Sequence, residues 1–418
     1  MHPKRPDQKH LKLLRIVLLQ ALLALLAGCA ESPEKSASTD PWAGITLPGL
    51  LKPEAQSSPE KNGAVRQGNQ ISTTQSNNLF ISRNDQEQTL TLLPKSVRDR
   101  AGWAEAIDTA FNDLGIPKTK ENLCATMAII EQESNFDADP RVSGLPRIVR
   151  DEMTKKMRQL GIPESVLTLA LTMKSPTGAT YAERIDRLQT ENDLNLLYRD
   201  MTSEIPLGRR LLEGHNPVRT GGPMQVSVKF AEAKAKETPY PYPSDRSIRE
   251  ELFSRRGGVY FGVAYLLDYP ADYDRMLYRF GDFNAGHYAS RNAAFQAAIS
   301  RLTGSTIAID GDLLRYDGGA IDDEPSETQQ KVLALAQELE LTEATIRDDL
   351  RVEKEPSFTE TALYTAVSRL AIEQGKPLEK AQLPEIRLHS PKITSRLTTA
   401  KFAQRVDERY HRCLDRGP

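Results

Sequence analysis

Two carboxylates close an apolar run in the interior of this 418-residue chain. Leu123 to Ile130 is followed directly by Glu131, Gln132, Glu133 and Ser134. A run that is apolar almost all round reads as a helix buried in a core. A carboxylate at the end of such a helix is costly unless it is paired or does chemistry, because desolvation disfavours its charged form and raises its pKa. That is the environment a general acid needs. The two glutamates are two positions apart, so on a helix they point about 200° apart and cannot share a groove position. Glu133 continues the face of Thr126, Ile129 and Ile130, and Glu131 continues that of Cys124, Met127 and Ala128. Both faces are apolar, and periodicity alone does not choose between them.

Two further stretches carry chemistry-bearing residues in unusual backbone contexts. Gly221-Gly222-Pro223-Met224-Gln225-Val226-Ser227 permits a tight backbone approach and then enters a helix through Phe230, Ala231 and Ala233. Gly281-Asp282-Phe283-Asn284-Ala285-Gly286-His287-Tyr288 breaks a short helix expected over Ala271 to Arg279. Eight of the 13 tyrosines lie between Tyr240 and Tyr288. Rings fill cores in most proteins, but around a polar groove they also stack on sugar faces.

Taken in order, Glu133-Ser134, Gly222-Pro223-Met224-Gln225 and Phe283-Asn284-Ala285-Gly286 resemble the motifs of the lytic transglycosylase family of the soluble-transglycosylase type. The family's pattern is a helix ending in Glu-Ser, a Gly-x-Met-Gln loop and a Tyr-Asn-Ala-Gly turn, on a goose-lysozyme-like helical fold. The resemblance covers roughly residues 95 to 305. It implies cleavage of the β-1,4 bond between N-acetylmuramic acid and N-acetylglucosamine in peptidoglycan, with Glu133 as the single general acid and base and a 1,6-anhydro product. By the same implication Ser134 positions Glu133, Met224 and Gln225 line the adjoining subsite, Asn284 holds the turn and contacts the sugar, and Tyr288 is a stacking candidate. Glu131 then reads as a structural carboxylate, and His287 as an exposed or structural residue. The chain departs from the family in three ways: 91 positions separate Glu133 from Met224, Pro223 stands where Leu is common, and Phe283 replaces Tyr.

Two other readings stay open. One is a non-catalytic peptidoglycan-binding or envelope-assembly lipoprotein. The other is a hydrolytic muramidase, which requires a second carboxylate such as Asp282 to face Glu133.

The elements that must position these residues are helical, and the expected fold class is mainly α. Ser96 to Leu114 and Lys120 to Ser134 form a helical pair, and the 146–220 segment carries helices over Ile148 to Leu160, Glu164 to Met173 and Tyr181 to Thr202. A capping box at Ser247 and Glu250 opens a helix to about Asp268. Thr306 to Ile309 and Leu313 to Tyr316 suggest a small hairpin about Asp310-Gly311-Asp312. Helices near Glu327 to Leu339, Thr342 to Leu350, Thr359 to Glu373 and Thr398 to Leu414 suggest a C-terminal helical subdomain. The expected division is a signal peptide at 1–28, a tether at 29–78, a lysozyme-like domain at 79–320 with an insertion at about 146–220, and a C-terminal region at 321–418.

The N-terminus bears on location. Lys4, Arg5, Lys9, Lys12 and Arg15 precede an apolar run from Ile16 to Ala27, too short for the roughly 20 residues of a spanning helix. Leu26-Ala27-Gly28-Cys29 resembles a bacterial lipobox, with Cys29 as the lipidated first residue of the mature chain. Ala30 then implies an outer-membrane lipoprotein facing the periplasm, anchored through its lipid. The segment to about Asn78, rich in Ser, Pro, Gln, Glu and Gly, reads as a flexible tether. Losing residues 1–28 changes the formal charge from −2 to −6. A mildly acidic chain has no basic footprint for nucleic acid.

Of the three cysteines, lipidation would leave Cys124 and Cys413, which could pair in an oxidising compartment, although a buried thiol is the blander reading of Cys124. Asp310-Gly311-Asp312 lacks the rest of a calcium loop. Zinc, nucleotide and serine-hydrolase motifs are missing from the sequence, so neither a metal nor a cofactor is expected.

Overall fold

The computed structural model describes residues 83–416 apart from 160, 162, 205–214, 318 and 389–396. The signal peptide, Cys29 and the tether lie outside the described residues. The fold is mainly α, with two short antiparallel hairpins.

Three hydrophobic cores organise it. The first gathers α1 (Arg83–Leu92), α2 (Arg100–Leu114), α3 (Lys120–Glu133), α8 (Val228–Glu237), α10 (Arg255–Leu267), α11 (Met276–Ala285) and α17 (Thr399–Leu414). Its centre is α3, whose residues from Leu123 to Ile130 are all buried, as an apolar run without a polar face requires. The second core belongs to α4 (Leu145–Gln159), α5 (Glu164–Leu171), α6 (Tyr181–Asp186) and α7 (Glu191–Ser203), joined by Val218 and Phe253. A single helix over Tyr181 to Thr202 is not formed. Thr190 opens a second capping box with Asp193, after the one that Thr180 makes with Glu183, and the chain restarts there. The third core packs α12 (Ala289–Thr303) against α13 (Glu327–Ala334), α14 (Ala336–Leu339), α15 (Glu343–Leu350) and α16 (Ala362–Glu373).

Three expectations are corrected. The C-terminal helices do not form one subdomain: α17 leaves α13 to α16 and returns to the first core, packing along α3 and α11. Cys124 is not a free buried thiol, because it is bonded to Cys413, which fastens α17 to α3. The Asp310-Gly311-Asp312 stretch is not a hairpin. Ile307, Leu313 and Leu314 are drawn into the third core, and the pairing moves to β3 (Tyr316–Asp317) and β4 (Ala320–Ile321). Gly319 turns that hairpin with φ 92°.

The other hairpin pairs β1 (Thr220–Gly221) with β2 (Val226–Ser227), Thr220 opposite Ser227 and Gly221 opposite Val226. It carries the Gly222 to Gln225 turn, and α9 (Ile248–Leu252) lies behind it.

Candidate active site

Glu133 is the last residue of α3. The chain turns sharply behind it, with Asn135 at φ 51° and Phe136 at φ 60°, two successive non-glycine residues in the left-handed region. Phe136 is nevertheless buried, with its ring edge-on to Trp103 at 5.4 Å, and this packing holds the turn. Glu133 itself is half-buried. Burial raises its carboxyl from an ordinary 4.5 to about 7, against a smaller lowering by the charge of Arg409.

Glu131 has the opposite surroundings. Its carboxylate accepts a hydrogen bond from Arg412 at 3.1 Å, and Arg409 and Arg416 lie 3.7 and 3.9 Å away. Its charge is thus taken up by α17. Helix geometry points the two glutamates apart, yet both feel Arg409, because a long side chain at a helix end reaches past it.

The second motif is held by close backbone packing. A Cβ on Gly222, at φ 74°, would come 2.1 Å from the Leu252 carbonyl oxygen. Pro223 rests on Gly258, where a Cβ would come 2.3 Å from its Cδ, and Met224 rests on Gly262, where a Cβ would come 2.1 Å from its Sδ. Met224 is fully buried and therefore fills the core, where a subsite wall was expected. Gln225 has φ 52°; its Nε2 donates to the Gly222 carbonyl at 3.2 Å, and Thr220 Oγ1 donates to its Oε1 at 3.4 Å.

The third motif is the last turn of α11, which runs four residues beyond the Gly281 at which a break was expected. Gly281 stays helical because a close neighbour needs it: a Cβ there would come 2.9 Å from both Leu383 and Ser290. Asn284 is half-buried, and its Oδ1 accepts a hydrogen bond from Thr399 Oγ1 at 2.8 Å. Phe283 is buried edge-on to Tyr265.

Other expected roles are corrected by burial and hydrogen bonding. Ser134 Oγ donates to the Ile130 carbonyl at 3.0 Å, capping its own helix instead of positioning Glu133. Tyr288, at φ 66°, is buried under Arg291, whose guanidinium lies 4.3 Å from the ring centre, so it offers no free face for a sugar. Asp282 is fully buried and accepts from Tyr269, Tyr273 and the backbone N–H groups of Tyr288 and Ser290. It is a strut of the fold. His287 is not exposed: its ring is stacked between Tyr269 and Tyr265, and desolvation lowers its pKa to about 4, so it is neutral.

The three motifs border one core, which contains Ile130, Met224 and Phe283, and strain gathers there. Asn135, Phe136, Gln225 and Tyr288 fall in or beside them, whereas Asp99 and Glu340 are the other described non-glycine residues at positive φ. Such residues persist only where surrounding packing over-determines them, and they cluster at functional sites. Among the described residues no hydrogen bond links the Glu133 carboxyl to Gln225 or Asn284. A surface hollow lined by Thr359, Tyr364, Ser368 and Arg369 lies elsewhere, on α16.

Sequence reasoning missed α17 as part of this region. Its signal was present in Lys401, Arg405, Arg409, Arg412 and Arg416, a basic stripe at steps of four, four, three and four. For metals, no group of three or more His, Cys, Asp and Glu suited to an ion occurs among the described residues. Asp310 instead accepts from Gln296, and Asp312 pairs with Lys354 at 3.1 Å.

Comparison with known proteins extends over most of this architecture. The chain is 47% identical over 323 residues to the uncharacterized protein YaiW of Escherichia coli (strain K12), covering 77% of this chain and 87% of that protein. No solved structure matches. A family described as a protein of unknown function, DUF1615, matches residues 96–416, from the start of the α2 region to the end of α17. With all three motifs and most of its cores inside that span, the chain belongs to the DUF1615 family.

Proposed function

We propose that this protein is a peptidoglycan lytic transglycosylase with a lysozyme-like catalytic region, held at the outer membrane by a lipid on Cys29 and facing the periplasm. The observation that carries the reading is Glu133, a carboxyl raised to about 7 at the end of a buried helix, beside a strained turn. Such a group is protonated about half the time at neutrality, so it can give a proton in one step and take one in the next. Glu133 would protonate the glycosidic oxygen as the bond from C1 of the muramyl sugar breaks. The resulting carboxylate would accept the proton of that sugar's 6-hydroxyl as O6 closes on C1, and no water is consumed. The sugar's own N-acetyl group supports the positive charge between the two steps.

Gln225 and Asn284 are the polar residues of the other two motifs and the proposed glycan contacts, with glycan strands as the substrate. The disulfide between Cys124 and Cys413 agrees with an oxidising compartment such as the periplasm.

A non-catalytic glycan-binding lipoprotein is the second reading. It is favoured by the burial of Met224 and Tyr288 and by the use of Asn284 Oδ1 within the fold. The hydrolytic alternative has less support, because Asp282 is committed to four hydrogen bonds.

Digestion of purified sacculi with the mature chain, followed by mass spectrometry of the ends, tests these readings. Anhydro-muramyl ends that vanish in Glu133→Gln are expected. Reducing ends would mean hydrolysis, and glycan binding without products across a range of pH would leave the non-catalytic reading.

A further inference from the structure

The cations of α17 and the residues just after it outnumber the carboxylates they face. Arg409, Arg412 and Arg416 all lie within ion-pair distance of Glu131, and Arg409 also acts on Glu133. Fastening the helix does not require three guanidinium groups. The disulfide from Cys413 already ties this turn of α17 to α3, and Arg412 alone satisfies Glu131 Oε1 with a hydrogen bond. Arg416 has a second task, donating to the Leu92 carbonyl at 2.9 Å. Arg412 is half exposed, and Lys401 and Arg405 continue the same face as exposed residues. Three guanidinium groups therefore outnumber the two glutamates at the end of the helix that carries Glu133, and Arg412 among them is partly exposed.

We propose that this stripe, with Arg412 at its centre, is a subsite for carboxylates on peptides attached to the glycan, so that the preferred substrate is a peptide-bearing strand. The inference rests on the glycan-cleaving reading of Glu133. Guanidinium groups suit carboxylates because their paired N–H donors match the two oxygens, and a partly exposed arginine can exchange one partner for another at little cost. Position supports the assignment. Arg409 acts on both Glu131 and Glu133, so the stripe begins beside the proposed acid, and the muramyl sugar whose bond is cut is the one that carries the peptide.

The test uses the full mature chain carrying Glu133→Gln, so that strands are bound and not cut. Glycan strands bearing peptides, the same strands stripped by an amidase, and vesicles of anionic phospholipid are compared for affinity. Peptide-bearing strands are expected to bind about tenfold more tightly than stripped ones, as one or two charge-assisted contacts would give. Arg412→Ala should reduce that ratio to near one and Arg412→Lys to an intermediate value, with the disulfide intact and the far-ultraviolet spectrum unchanged. A ratio near one in the parent, a ratio unmoved by Arg412→Ala, or tighter binding to vesicles than to peptide-bearing strands would overturn the inference. Failure of the underlying reading is seen separately, as sacculi left uncut by the chain with Glu133 in place.

Discussion

Arg412 donates a hydrogen bond to Glu131 at 3.1 Å although 281 positions separate them. The contact joins the end of the chain to the helix that carries the candidate acid, and it separates two glutamates that look alike in sequence. Glu131 is a paired anchor and Glu133 is a desolvated carboxyl.

The two should therefore respond oppositely to the same substitution. Glu131→Gln leaves three guanidinium groups short of their counter-charge, and a loss of about 1–3 kcal/mol is expected, with glycan cleavage retained. Glu133→Gln should abolish cleavage, by a factor of roughly 100 or more. Thermal melts and product counts on sacculi read both effects.

A pH series should show the same contrast. The folded pKa of Glu133, about 7, lies above its ordinary 4.5, so the folded state holds its proton more tightly. Stability from this group is fully present below about pH 4.5 and falls as pH rises to about 7, by roughly 1–3 kcal/mol given its partial contact with water. Glu133→Gln should match the parent at pH 4 and exceed it at pH 8 in denaturant melts. A parent advantage at pH 8 would contradict the desolvated acid.

The rate should carry that pKa as well. In the proposed mechanism bond cleavage begins with protonated Glu133, so kcat/KM on sacculi is expected to decline tenfold per pH unit above about 7. A decline centred near pH 4.5 would mean that the proton donor is an ordinary, solvated carboxyl.

Gly262 tests the packing of the second motif. A Cβ there would come 2.1 Å from Met224 Sδ and 2.7 Å from Met224 Cβ. Gly262→Ala should destabilise by about 1–3 kcal/mol through overpacking. Adding Met224→Ala should recover part of that loss, a non-additivity that a double-mutant cycle in urea would show.

The disulfide offers a further check. Cys413→Ser should cost about 2–5 kcal/mol and lower cleavage, because α17 then loses its covalent hold beside Glu133. Alkylation before and after reduction, read by mass, reports whether Cys124 and Cys413 are paired.

Much of the region was legible in one dimension. Leu123 to Ile130 reads as a buried helix, and Gly222 and Gly286 mark the turn before Gln225 and the end of α11 after Asn284, whereas Gly281 gives no sign that the helix continues through it. Burial of particular polar groups was not legible. Asp282 and Asn284 are near neighbours on α11, yet one is sealed under two tyrosines and the other meets Thr399 at the start of a distant helix. Met224 was expected to wall a groove, and only its fit against Gly262 sends it inward. The hairpin expected at Asp310-Gly311-Asp312 moved because Leu313 and Leu314 had a core to enter.

By itself the sequence determined the helical class, the apolar helix that ends in two carboxylates, and the order of the three motifs, because local periodicity and glycine placement act over a few residues. The motif resemblance favours Glu133 over Glu131, but the different surroundings of the two carboxylates were decided by the tertiary structure. That depends on a helix nearly 280 positions away coming back to lie along α3, where its arginines pair with Glu131 and its Cys413 bonds Cys124. Desolvation and charge pairing act through space, and only the closed fold sets the distances that make Glu131 an anchor and raise the pKa of Glu133.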